Sequence, residues 1–412
     1  MLKRLFITAA LLLTVSVVHA QEGVSPALEY QLITLEETTQ QIRALNALED
    51  VERVFPTRAD TIEYLRNLYE RDLPVEEAER AEAFYVALGL FSNDVDLREV
   101  YLTLLSSQVA GFYDPETQTM NVIPMSEDTP GDSLSMLEQI TYVHEFTHAL
   151  QDQHFDLNAV LPAELVNEPD RALAVRSLVE GDATVAMTVF LQEVAMSDPM
   201  AALSILTEGL ASGGLFLPPG IPPILITELT FPYEAGAAFV TTLYNNGGWE
   251  AVNAAYANLP TTSEQVMHPN KYLSGETAIP VELPDFTSML GDNWTQAWDV
   301  TLGEFYLRAQ IDAELALAEA SSAAAGWGGD RFQVYTNGDQ LASVLQIVWD
   351  TPEDAAEFQE SYAAYADERF GTTGDSGCWS NADGVLCLQA LADGSSRVVT
   401  APTLEIAANL RG

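Results

Sequence analysis

Apolar positions recur at helical spacing through residues 26–108. Leu65, Leu68 and Tyr69, then Ala81, Phe84 and Leu88, fall on such a stripe, the 3.6-residue period of an amphipathic helix. Pro56 and Pro74 punctuate the run, so a helical N-terminal region over 21–108 is expected. The texture changes at Val109-Ala110-Gly111-Phe112-Tyr113-Asp114-Pro115. Asp114-Pro115-Glu116-Thr117 signals a turn, and Met120-Asn121-Val122-Ile123 a short strand that Pro124 favours as an edge. A hairpin with edge character is therefore expected ahead of an apolar-periodic helix over 133–153. A second long helix is expected over 170–196, carrying Leu173, Leu178, Val179, Ala183, Ala186 and Phe190. The Gly/Pro-rich, apolar stretch 213–223 reads equally as a lid or a buried crossover. Pro232 opens a further helix that Asn245-Asn246-Gly247-Gly248 ends, and helices over 249–256 and 294–324 follow. Gly326-Trp327-Gly328-Gly329-Asp330 marks a boundary. Beyond it strands are expected over 332–335, 343–349, 378–388 and 397–400, with a helix over 352–370. The chain thus reads as α+β and helix-dominated: a helical region to 108, a core over 109–325 and a small α+β C-terminal domain over 326–412.

The first twenty residues stand apart. Lys3 and Arg4 precede an apolar run, and Val18-His19-Ala20 offers small residues where signal peptidase reads. A secretory leader over 1–20 is expected, and with it a location outside the cytoplasm. The run is short for a bilayer span, so no membrane attachment is expected after cleavage. The chain carries 17 Lys+Arg against 61 Asp+Glu, net −44. Such a surface repels nucleic acid and anionic membrane. Cys378 and Cys387 flank Asn381, Asp383 and Gly384. The segment reads as a hairpin, and in an exported protein the two thiols are expected to pair.

Chemistry is concentrated in His144-Glu145-Phe146-Thr147-His148. On a helix the two imidazoles project from one face, four residues apart, where a divalent ion can bridge them. Glu145 points off to the side, placed to serve a water as general base. Zinc is the expected metal. The five histidines of the chain include His154 and His268 besides this pair and His19.

A third ligand is needed, and two readings compete. Glu180, in Leu178-Val179-Glu180-Gly181-Asp182-Ala183, puts a carboxylate into an apolar helix, where a metal would relieve the cost of burying it. Asp182 or Asp156 would then be an acceptor for a ligand imidazole N–H. The alternative is His154, which fits the longer histidine spacing of metzincins. That pattern needs Gly where Gln151 stands, because the chain must turn there. Gln continues a helix, so Glu180 is favoured. Two residues are candidates for meeting a developing oxyanion: His268, in a Pro-flanked loop, and Tyr233, just after Pro232.

The run from Tyr142 to Leu157, with Glu180-Gly181-Asp182-Ala183 downstream, resembles the secreted bacterial zincins of the gluzincin type. The resemblance extends over about residues 108–275, including Gly111-Phe112-Tyr113-Asp114-Pro115 and Glu264-Gln265-Val266-Met267-His268-Pro269. It implies a zincin-like catalytic core, Zn²⁺, a glutamate on the following helix as third ligand, and substrate backbone added to the strand at Met120 to Ile123. His154 and the form of the third-ligand segment depart from the fullest pattern. The expected activity is hydrolysis of peptide bonds in a peptide or protein substrate, with His144, His148 and Glu180 on the metal and Glu145 as base. Three rivals stand beside it: an exported, non-catalytic protein with structural zinc, in which His154 would close the site; a zinc hydrolase of a non-peptide bond; and a surface-binding protein with a relic site. The N-terminal region reads equally as a propeptide or as a fixed wall of the cleft.

Overall fold

The computed structural model describes residues 24–107, 111–123, 131–201, 220–371 and 376–411. The expected leader, Pro124 and most of the 213–223 stretch lie outside them. Helix α1 (Pro26–Arg43) starts at Ser25, whose hydroxyl accepts from the Leu28 N–H. Strand β1 (Glu52–Val54) and helices α2 (Arg58–Asp72), α3 (Val75–Ala87) and α4 (Leu97–Ser107) follow, so the N-terminal region is helical with one strand inserted. Strands β2 (Gly111–Asp114) and β3 (Thr119–Val122) form the expected hairpin. The strand order, however, is β1-β3-β2, with β1 parallel to β3. The expected edge strand is therefore central, and β1 and β2 are the edges of the sheet among the described residues. No residue type near β3 signals a partner some 65 positions upstream.

Helix α5 (Met136–Phe155) opens on a capping box between Ser135 and Glu138. It ends at Asp156, held in the left-handed region (φ 56°), whose side chain caps the short α6 (Leu157–Val160). Helix α7 (Pro169–Ser197) is the axis of the molecule: from Ala172 to Ala183 every side chain is buried, so no amphipathic stripe remains. Helix α8 (Pro223–Ala257) packs along it. It opens at Pro223 and runs through Pro232, which was expected to start it. Its rod is broken at Gly247 and Gly248, where a helix end was expected. Short helices α9 (Ser263–Met267), α10 (Pro269–Ser274) and α11 (Thr287–Leu290) lead to strand β4 (Thr295–Val300), then α12 (Gly303–Asp312) and α13 (Leu317–Ala324). The single helix expected over 294–324 is thus a strand and two helices. Trp294 and Trp298 sit four apart and mimic a helical face, but Trp298 and Val300 are buried at strand spacing.

The remaining elements are β5 (Trp327–Asn337), β6 (Gln340–Trp349), α14 (Pro352–Phe370), β7 (Cys378–Asn381), β8 (Gly384–Ala390), β9 (Ser396–Ala401) and α15 (Leu404–Arg411). They build a six-stranded antiparallel sheet in the order β4-β5-β6-β9-β8-β7. Cys378 and Cys387 face one another across β7–β8 and are bonded. Side chains alternate between two cores, as the two-residue period dictates. Phe332, Val334, Leu345, Ile347, Leu386 and Val398 join the main core with Phe84 of α3 and α14's Phe358 and Tyr362. Tyr335, Val344, Val385, Cys387 and Val399 pack on α15. The main core runs from this sheet into α7 and α8 without a break, and with β4 the sheet begins upstream of the Gly326–Asp330 segment. Among the described residues no helix is long and apolar enough to cross a membrane.

Where α7 meets the sheet layer, two carboxylates are buried. Asp170 accepts from the Ser263 N–H at 3.0 Å, and its other oxygen has no partner. Asp330 accepts from the N–H groups of Leu302 and Gly303 and from Trp327. Burial pushes Asp170 up to about 8 and Asp330 up to about 6. Their folded pKa values exceed the unfolded ~4, so the folded chain holds the protons more tightly. Their stabilising effect is complete below about pH 4 and is lost as pH rises through about 6 and about 8. Asp170→Asn is expected to flatten the upper part of that loss, measured as urea midpoints at about pH 5 and about pH 9. Equal midpoint shifts in variant and wild type would refute the assignment.

Candidate metal centre

Helix α5 places His144 and His148 one turn apart on its inner face, 8% and 4% exposed. Glu180, 2% exposed, faces them from α7. His144 Nε2 lies 3.2 Å from Glu180 Oε2, His148 Nε2 3.2 Å from His144 Nε2, and His148 Nε2 3.4 Å from Glu180 Oε2. Three donor atoms thus form a nearly equilateral triangle. Tetrahedral zinc with ligands at about 2.0–2.1 Å requires edges of about 3.3 Å, so the donor set fits that ion. Two imidazole nitrogens aimed at each other at 3.2 Å also call for a cation between them. Burial alone would lower the His148 pKa, but the Glu180 carboxylate overrides it and raises it to about 9. Burial would raise Glu180, and the two imidazoles hold it well below the usual carboxylate range.

His148 is oriented by Gln151: its Nδ1 lies 2.8 Å from Gln151 Oε1, and Gln151 Nε2 donates to the Val179 carbonyl at 3.0 Å. The amide oxygen accepts only, so Nδ1 keeps its proton and Nε2 is the nitrogen that would give one up to a cation. The expected acceptors Asp182 and Asp156 do not serve. Asp182 is held by Arg43, with Nε–Oδ1 2.6 Å and Nη2–Oδ2 2.9 Å, and accepts from the Tyr256 hydroxyl at 2.8 Å. Asp156 caps α6. Gln151 sits three residues from His148, a spacing that could have revealed it. The helix continues past Gln151, and His154 Nε2 turns away to the Asn46 carbonyl at 2.8 Å.

Glu145 stands beside the triangle. The Tyr113 N–H, on the outer edge of β2, donates to Glu145 Oε2 at 2.9 Å. The Tyr113 hydroxyl donates to Asp152 Oδ2 at 2.9 Å. Glu145 and Asp152 are seven apart, so one strand residue clamps two points on one face of α5. Glu145 Oε1 makes no hydrogen bond among the described residues. Burial pushes the Glu145 carboxyl up, opposed by the two imidazoles and the Tyr113 N–H.

Tyr233 of α8 closes the fourth side. Its ring lies over His144 with centroids 5.9 Å apart and planes at 28°, and its hydroxyl is close enough to feel the Glu180 carboxylate. Burial and the carboxylates of Glu180 and Glu145 keep it protonated, well above the usual tyrosine range. His268 is not brought here: it joins α9 to α10 and pairs with Glu304 at 2.9 Å.

The positions of Glu180 and Tyr233 depend on two glycines. A Cβ on Gly181 would sit 2.3 Å from the Gly236 carbonyl, and one on Gly236 would sit 2.2 Å from the Ser177 oxygen. The α7 and α8 backbones touch there, which no larger residue allows. Gly236→Ala is expected to cost about 1–3 kcal/mol by overpacking, read from urea unfolding, and to weaken metal retention. Unchanged stability would show that the helices can part freely.

Residues 295–411 match a family described as a domain of unknown function (DUF8575). No curated protein matches the chain. A solved structure from Chloroflexus aurantiacus, described as a candidate hydrolase with a novel fold, aligns with 62% of this chain and 93% of its own at 17% identity, with a TM-score of 0.35.

Proposed function

We propose that the protein is an exported zinc-dependent hydrolase that cleaves peptide bonds, with His144, His148 and Glu180 as ligands and Glu145 as general base. The observation that carries this reading is the triangle of donor atoms with a fourth carboxylate beside it, held on a backbone N–H rather than in the triangle. A structural zinc site is closed by four protein ligands. Among the described residues this group of metal-ligating side chains has three members, which leaves a coordination position for water or substrate. Zinc bound there would supply Lewis acidity, lowering the pKa of a water towards neutrality and polarising a carbonyl.

The chain's own residues do the rest. Glu145 Oε1 is free to take a proton from the attacking water and pass it to the leaving amine, while Tyr113 fixes the other oxygen. Tyr233, protonated and within reach of the triangle, is placed to donate to oxygen charge that develops on the substrate. The outer edge of β2, beside Glu145, is where an extended peptide would add as a strand. That replaces Met120 to Ile123, where Met120 and Asn121 are already paired on both sides. The Cys378–Cys387 bridge accords with an oxidising compartment.

The test is metal analysis joined to cleavage of casein and quenched peptides. One zinc per chain is expected in wild type. Glu180→Ala should lower zinc affinity by more than the roughly 10–100-fold that loss of a supporting contact costs, and His154→Ala should leave it unchanged. Full zinc occupancy in Glu180→Ala would reject the ligand set. Zinc-loaded wild type that cuts neither substrate would reject the peptidase reading.

A further inference from the structure

Arg176 precedes Glu180 by one turn of α7, so both side chains leave the same face. It is 8% exposed. Among the described residues its guanidinium makes no hydrogen bond and no ion pair. The contrast with Arg43, whose Nε and Nη2 are held by Asp182, is direct. Arg176 lines a cleft with Phe84, Tyr85, Glu228, Trp298 and Tyr306. Arg80, at the same cleft, is already engaged by Glu77, by Asn167 and by the Trp298 ring. Glu228 does not answer Arg176 directly: its carboxylate takes the hydroxyls of Tyr85 and Tyr306. Arg176 thus lines the cleft and lies one turn of α7 from a member of the metal-ligand triangle. Its five donors are unused by the protein and open only to the cleft, where an anion would meet them.

We infer that Arg176 anchors a carboxylate of the protein's ligand, received through the aromatic cleft. The planar fork matches the two carboxylate oxygens, and the aromatic walls suit an apolar body attached to them. Four residues of helix separate Arg176 from Glu180, about 6 Å, which is the span of about two extended residues. On the peptidase reading, on which this assignment of the ligand rests, the substrate carries a carboxylate within about two residues of the bond cut. It belongs either to the C-terminus or to an Asp or Glu side chain.

Binding decides the site without any need for cleavage. In calorimetric titrations, wild type is expected to bind 3-phenylpropanoate about 10–100-fold more tightly than 3-phenylpropanamide, the worth of a charged hydrogen-bonded contact. Arg176→Met should abolish that preference, and Arg176→Lys should keep part of it. Equal binding of acid and amide by wild type, or a preference that survives in Arg176→Met as it would for a carboxylate on the metal, would overturn the inference. Kinetics on peptide pairs then identify the source. A KM raised by C-terminal amidation, and insensitive to amidation in Arg176→Met, assigns the terminus; the same behaviour for a Glu-to-Gln pair assigns the side chain. Peptides cleaved with the same KM whether or not they bear a carboxylate would remove Arg176 from substrate recognition. Absence of cleavage bears on the peptidase reading and leaves the titration standing.

Discussion

Glu145→Gln is expected to lower turnover by about 10²–10⁴-fold, the usual worth of a positioned general base, while the protein keeps one zinc per chain. The amide preserves the side-chain shape, and its oxygen can still accept from the Tyr113 N–H that holds Glu145 Oε2 at 2.9 Å. The clamp of β2 on α5 therefore survives, and only the ability to take up a proton is lost. Metal analysis and peptide cleavage on the same preparation separate the two effects. Loss of zinc in this variant would make Glu145 a ligand; undiminished turnover would make it a bystander and end the water-activation reading. Thermal stability should not fall, since the carboxyl is already pushed up by burial.

Arg43→Ala is expected to destabilise the fold by about 3–5 kcal/mol, as breaking a buried pair from one side leaves an uncompensated charge. Arg43 and Asp182 are both 0% exposed and joined by two hydrogen bonds, and Asn253 and Tyr256 of α8 complete the group. The guanidinium also lies 4.4 Å from the centroid of the Trp249 ring. Urea unfolding is the measurement, and a change below about 1 kcal/mol, the range of exposed pairs, would show that water reaches Asp182. The same contact bears on the N-terminal region. Leu28, Leu32 and Leu35 of α1 share a core with Ile140, Val143 and Phe146 of the metal-bearing helix. With Arg43 tied to a residue two positions from Glu180, α1 is part of the wall that holds the centre.

Local patterns were legible in the sequence; long-range pairings were not. His144 and His148 could be read because four-residue spacing on a helix is a contact in itself. Glu180 could be read because an apolar run makes a lone carboxylate conspicuous. The α+β, helix-dominated class, the β2–β3 hairpin and the Cys378–Cys387 bridge followed from periodicity and turn residues. The edge position assigned to residues 120–123 failed because β1 arrives from far upstream. Asp182 reads as one candidate acceptor for an imidazole, beside Asp156, because its true partner, Arg43, is 139 positions away. The Tyr113 N–H that holds Glu145 is a backbone group, which no residue letter can announce. Arg176 reads in sequence as one more charge on a helix, and its isolation is visible only once its surroundings are.

The touching backbones at Gly181 and Gly236 constrain how the molecule can breathe. Glu180 and Tyr233 stand next to that contact on α7 and α8, so neither can move without carrying the other. Those two sides of the centre form a single rigid anvil. Movement that widens the centre is therefore expected on the opposite side, where β2 is held to α5 through Tyr113 alone among the hydrogen bonds described, and where two bonds can release together.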